Sequence, residues 1–177
     1  MSIFGCLEEL QAELFEKSYE ELEAKYYELC STNVGGNEAE RIHNINLDTF
    51  QTQVKSSLQE AMHIVNEQSA KAIYFEYDMD NDWESTFFIY DGYSSLIEED
   101  DDWASDWIDE IEGPNNKEFA QIYQENGFNA TEKARAITLF LIVRTLVAFG
   151  TVAKSMKLNV PLCIGFHDQD PIMRIKE

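Results

Sequence analysis

The stretch YDMDNDWES at residues 77–85 sets aspartates at every second position and follows them with a tryptophan and a glutamate. Asp78, Asp80 and Asp82 match the first three oxygen-ligand positions of an EF-hand calcium loop, and the match then fails. Trp83 stands where the loop needs glycine for its sharp turn, and Ile89 where it needs a bidentate glutamate. The flanking runs alternate with the period of strands, so the stretch reads as a solvated turn.

A second constellation is HDQD at 167–170. A histidine and two carboxylates after a strand could act as metal ligands or bases. There is no second histidine at a ligand-like spacing, since His43 lies in a connector and His63 on a helix. Asp-Pro at a strand end is an ordinary turn former, with Asp168 or Asp170 capping backbone groups. A metal-assisted hydrolase using Asp78, Asp80, His167 and Asp168 stays open as an alternative, and it requires these four to converge. Cys163 sits inside an apolar strand, and a cysteine four residues from His167 on one β-segment cannot reach it. No serine elbow, phosphate-binding glycine loop or H-E-x-x-H occurs. The expectation is a protein with no catalytic residues, no cofactor and no metal site.

What stands out instead is charge. The formal net charge is −21, which excludes nucleic-acid binding as a default and disfavours an anionic membrane. A cationic partner is permitted, with electrostatically steered association. Residues 72–116 hold fifteen Asp and Glu and no Lys or Arg, together with all three tryptophans and ten of the twenty-two aromatics. Residues 117–177, by contrast, carry eight bases against six acids. Pure solvation would not need the aromatics. Cys6, Cys30 and Cys163 are an odd set without close spacing, which fits reduced thiols in a cytosol. No secretory signal is read at the N-terminus. The apolar run 136–149 is interrupted by Thr138, Arg144 and Thr145 and is shorter than a membrane span, so a core helix is expected.

The elements that would position these groups follow from periodicity. Residues 1–31 read as one amphipathic helix, with Ile3, Leu7, Leu10, Leu14, Leu22, Tyr26 and Leu29 at steps of three and four apart from one gap between Leu14 and Leu22. Residues 32–46, with Gly35 and Gly36, read as a mobile connector. A second helix presents Phe50, Val54, Leu58, Ala61 and Val65. Two antiparallel strands at 72–78 and 85–91 then enclose a turn. The run EEDDDWASDWIDEIEGP predicts an acidic helix, with Trp103 and Trp107 packing it onto the core and Gly113-Pro114 ending it. A short helix at 117–126, a long apolar helix from Thr131 to about Ser155, a buried strand at 160–166 and a last strand at IMRI complete the pattern. Arg144 in the apolar helix reads as either a snorkelling arginine or one salt-bridged to Glu76 or another strand acid. The fold class expected is α+β: one helix-rich domain over 1–177, with a small antiparallel sheet and a central apolar helix.

The runs AIYFEYDMDNDWESTFFIY, DDDWASDWIDEIEGP and PLCIGFHDQDP resemble a family of small acidic bacterial cytosolic proteins of polymorphic-toxin and contact-dependent growth-inhibition loci. The similarity covers roughly 72–172. It implies an immunity protein, without catalytic residues, that binds and neutralises a cognate toxin, often a basic nuclease, in the cytoplasm. On that reading the docking face comprises Asp78, Asp80, Asp82, Trp83 and Glu84 of the turn with Glu98, Glu99, Asp100, Asp101, Asp102 and Asp106 of the acidic run. Trp83 is expected to be partly exposed. A third reading, an acidic mimic of nucleic acid, needs carboxylates spaced like phosphates along an extended surface.

Overall fold

Among the described residues, 2–177, the computed structural model contains six helices and five strands. Helix α1 (Ile3–Leu14) starts at Ser2, whose Oγ accepts a hydrogen bond from Gly5 N at 3.1 Å. Helix α2 (Tyr19–Val34) starts at Ser18, which forms a reciprocal capping box with Glu21. The expected single N-terminal helix is therefore two. Ser18 three residues ahead of Glu21 is a start signal that the apolar spacing alone overlooks. The connector is not loose either. Gly35, at φ +97°, turns the chain into α3 (Gly36–His43), which buries Ala39 and Ile42. Helix α4 (Asp48–Gln68) buries Phe50, Val54, Leu58, Ala61 and Val65, as its spacing predicts.

The strands are β1 (Ala72–Asp78), β2 (Glu84–Tyr90), β3 (Asp109–Glu112), β4 (Leu162–Phe166) and β5 (Met173–Lys176). They form one sheet in the order β3-β2-β1-β4-β5. The α+β class holds, but the sheet is mixed: β1 and β4 pair in parallel and the other three ladders are antiparallel. A parallel pair needs a crossover connection, supplied here by α5 (Lys117–Asn126) and α6 (Glu132–Lys154). The inner face carries Ile73, Phe75 and Tyr77 beside Phe87, Ile89, Leu162, Ile164 and Phe166, all packed into the helical core. Phe75 stacks on Phe149 of α6 at 4.6 Å between centroids.

Thr131 caps α6 by accepting from Ala134 N. This helix is long and apolar enough to cross a membrane, yet 89% of its apolar window is buried inside the fold, which makes it the core helix. Arg144 within it does not meet Glu76. Its guanidinium donates to the carbonyls of Ile42 (2.5 Å) and Ile45 (3.1 Å) and to Glu23 Oε1 (3.1 Å). Those carbonyls lie at the end of α3 and just beyond it, where helix geometry leaves acceptors without an i+4 donor; that of Ile42 also accepts from Ile45 N at 3.3 Å.

The acidic run departs furthest from expectation. Residues 102–105 form a short 3-10 turn and 109–112 form the edge strand β3, so no acidic α-helix exists. Asp, Ser and Trp are indifferent helix formers, and closely spaced like charges repel on a helix. From Asp109 onward the alternation matches the free edge of β2 instead, with Ile111 opposite Phe87.

Candidate functional site

The 78–84 turn owes its shape to the burial of one tryptophan. Trp83 is fully buried, stacked on Tyr77 at 5.4 Å, edge-on to Phe119 and Tyr123, with Nε1 donating to Thr145 Oγ1 at 3.1 Å. Seating it there holds Asp82 and Trp83 at φ +50° and +56°, a left-handed pair costing about 1–2 kcal/mol per residue. Burial of the indole offsets that strain. This corrects the expectation of an exposed Trp83: it is an anchor of the turn and is not available to a partner. Asp80, Asn81 and Asp82 are left exposed at the tip. Asp78 Oδ1 accepts from Asp80 N at 2.9 Å, and Glu84 accepts from Asn81 Nδ2 at 2.8 Å, so these carboxylates shape the turn. Among the described residues, no three His, Cys, Asp or Glu side chains are grouped to hold a metal ion.

Parallel pairing of β1 with β4 brings the second constellation to the same end of the sheet. His167 N donates to Tyr77 O at 2.9 Å, and its Nδ1 lies 3.1 Å from Glu76 Oε1. That hydrogen bond, reinforced by the charges of Glu76, Asp168 and Asp78, raises the imidazole above its ordinary value despite some opposing burial. Glu76, Asp78, Glu84, Thr86, Glu112 and His167 line a recess of about 330 Å³ on the face turned away from the helices. The four residues of the hydrolase alternative do not all meet in it. Asp78 and His167 line the recess. Asp80 lies toward Tyr123 of α5, whose phenol is raised by burial and then by Asp80. Asp168 stands in solvent with its side chain 91% exposed. Gln169 is buried and binds Phe166 N and Pro171 O, so 167–171 is a built turn.

Glu76 and Glu112 were missed as site residues. Strand alternation was the signal for both: Glu76 faces Thr86, and Thr86 faces Glu112 across β1–β2–β3.

The acidic run 91–108 lies over the other end of the same outer face, with Tyr93, Trp103 and Ala104 packed on Tyr74, Tyr90 and Cys163. Arg174 pins it. This guanidinium is 1% exposed, bonds Asp101 Oδ1 at 2.7 Å and Ser94 O at 3.0 Å, and lies beneath the rings of Tyr93 and Trp103. Asp101 also accepts from Ile172 N at 2.8 Å. Asp101 is thus an internal counter-ion, which corrects its place in the docking set. Glu98 caps the Ser95 turn, and Asp100 holds Asp102 N. Glu98, Glu99, Asp100, Asp102 and Asp106 remain exposed. A larger cleft of about 450 Å³ between α1 and this run is lined by Glu8, Gln11, Glu99, Asp101, Asp170 and Arg174. Trp107 does not pack a helix on the core: its ring rests on Phe88 at 5.0 Å and half of it meets water.

Of the fifteen acids in 72–116, only Glu76 and Asp101 have a basic side chain within 4.0 Å among the described residues, His167 and Arg174 respectively. Outside this segment eight of the nineteen acids have such a neighbour among the described residues, including Glu9 and Glu13 with Lys25, Glu38 and Glu125 with Arg41, and Glu23 with Arg144. The arrangement is a cation-attracting surface with a recess, and its cysteines are inert. Burial pushes the Cys30 and Cys163 thiols up to about 12. Comparison with known proteins finds no family model, no curated sequence and no solved structure that matches this chain.

Proposed function

We propose that this chain is a cytoplasmic, non-catalytic binding protein that neutralises a cationic protein partner, as an immunity protein blocks a cognate basic nuclease toxin. One observation carries the reading: among the described residues, thirteen acids between 72 and 116 have no basic side chain within 4.0 Å, on a segment that also holds ten aromatics. Folding with so many uncompensated like charges is unfavourable, and a positively charged partner relieves that repulsion. Complementary charge would supply rapid, selective encounter, and aromatic contacts would supply lifetime. With Trp83 buried and Asp101 paired to Arg174, the proposed docking set is the exposed acids of the hairpin tip, the sheet face and the 98–106 run.

The test is coexpression with the protein encoded next to it, followed by stopped-flow association at rising ionic strength. A complex is expected, with an association rate falling steeply toward 0.15 M salt, where screening reaches about 8 Å. Protection of cells from the neighbouring protein is expected alongside. Absence of a complex, or a rate indifferent to salt, overturns the reading.

A further inference from the structure

The outer face of the sheet is covered at one end and bare at the other. The 93–104 segment lies over Tyr74, Tyr90 and Cys163, while Thr86, Phe88, Glu110 and Glu112 sit further along the ladder, half-buried or exposed. At the border stand Trp107, 50% exposed with its ring on Phe88, and Ile108, 38% exposed, its N–H donating to Ile89 O at 2.8 Å. Trp83 is wholly buried and Trp103 half-buried, so Trp107 is the tryptophan that presents its ring to solvent. A lone exposed aliphatic such as Ile97 needs no explanation, but a half-exposed tryptophan resting on Phe88 of an uncovered strand pair, followed by a partly exposed Ile108, does.

We infer that Phe88, Trp107 and Ile108, together with Glu110 and Glu112, form the docking face for an arginine- or lysine-bearing segment of a cationic protein. The inference rests on the function proposed above and locates it away from the hairpin tip. Charge decides the occupant. A second copy meeting this face about a two-fold axis would set Glu110 and Glu112 against themselves. Anionic lipid and nucleic acid are repelled by the same carboxylates. A basic side chain satisfies every part: its charge reaches Glu110 or Glu112, its planar or ammonium head sits over the indole, and its methylene stem covers Ile108. A half-exposed tryptophan is also a side chain on which binding energy concentrates.

The experiment titrates the intact protein with a nona-arginine peptide at low ionic strength, read by calorimetry and tryptophan emission. Three variants are compared after circular dichroism shows them folded: Trp107→Ala, the pair Glu110→Lys/Glu112→Lys, and the pair Asp80→Lys/Asp82→Lys. The two double variants change net charge equally, so they differ only in where the charge is lost. The wild type is expected to bind and to shield Trp107 from acrylamide. Trp107→Ala and the sheet-face pair should each weaken binding about tenfold or more, with the hairpin pair within about threefold of wild type. Equal weakening by both double variants, or loss only in the hairpin pair, overturns this inference and leaves the cationic-partner reading standing. A wild-type protein that ignores the peptide overturns both.

Discussion

Arg174 Nη2 lies 2.7 Å from Asp101 Oδ1, and this one pair joins the last strand to the acidic run that crosses the sheet. The guanidinium also donates to Ile172 O at 2.6 Å and Ser94 O at 3.0 Å. The backbone of Arg174 is held as firmly, with Gln11 Oε1 accepting its N–H at 2.6 Å and Gln11 Nε2 donating to its carbonyl at 3.2 Å. A side-chain amide thus pairs the free edge of β5 as another strand would, which blunts that edge against aggregation. One acid is withdrawn from the outward display, and its charge orders the segment that carries many of the others.

Removing that acid leaves a buried cation without a counter-charge. Asp101→Ala should lower unfolding free energy by about 3 kcal/mol, at the lower end for a broken buried pair because Asp101 keeps some contact with water. Urea denaturation measures it. Limited proteolysis should cut within 93–108 faster in the variant than in the wild type. Asp101→Asn, which keeps an acceptor for Arg174 and Ile172 N, should lose less. A midpoint unchanged in both variants would show that the ion pair does not hold the segment.

Trp83 makes the turn a matter of packing. Trp83→Ala empties a site bounded by Tyr77, Phe119 and Tyr123 and should cost about 3–5 kcal/mol. Trp83→Phe keeps much of the volume but forfeits the bond to Thr145, so a loss of about 1–2 kcal/mol is expected. Thermal unfolding separates the two. Because the indole is inside, Trp83→Phe should leave binding of a cationic partner unchanged once the protein is folded. A binding loss without a stability loss would place Trp83 back at the surface.

Local pattern made much of this molecule legible. The hairpin, the helix at 117–126, the apolar core helix and the α+β class all follow from periodicity, and the acid load follows from counting. What stayed hidden depends on contacts between distant residues. The burial of Trp83 requires Thr145, 62 positions away, and the burial of Arg174 requires Asp101. His167 meets Glu76 only because β1 and β4 run parallel, a choice of neighbour that the strands themselves do not announce. The 102–112 run was misread because Trp103, Trp107, Ile108 and Ile111 also fit a helical face. The free edge of β2 selected the strand.

The His167–Glu76 pair predicts a pH dependence with a definite sign. The folded protein holds the imidazole's pKa above its ordinary 6.5, so folding favours the protonated ring. The stabilisation is therefore fully present below pH about 6.5 and is lost as pH rises through the higher folded-state value. Unfolding of wild type and His167→Gln compared across that range should show the wild type favoured on the acid side, with the gap closing toward alkaline pH. Proton NMR of the His167 ring should give an apparent pKa above the ordinary 6.5. A gap that stays constant with pH would remove the pair from the stability of the recess.

Arg144 supplies the sharpest test of how the helical layer is joined. Its buried head takes two carbonyls at the end of α3 and the Glu23 carboxylate of α2, so one side chain of the core helix ties both helices to it. Arg144→Met keeps the stem and removes every donor, leaving the Ile45 carbonyl unpaired at about 1–3 kcal/mol, while the Ile42 carbonyl keeps its backbone bond from Ile45 N at 3.3 Å. Arg144→Lys keeps the charge, but a compact ammonium lacks the fork that reaches two helices at once, so it should recover only part of the loss. The expected stability order is wild type, then Lys, then Met, with α3 amides showing the largest gain in hydrogen exchange. Equal stability of the Lys variant and wild type would mean that charge alone, without the planar geometry, holds α3 in place.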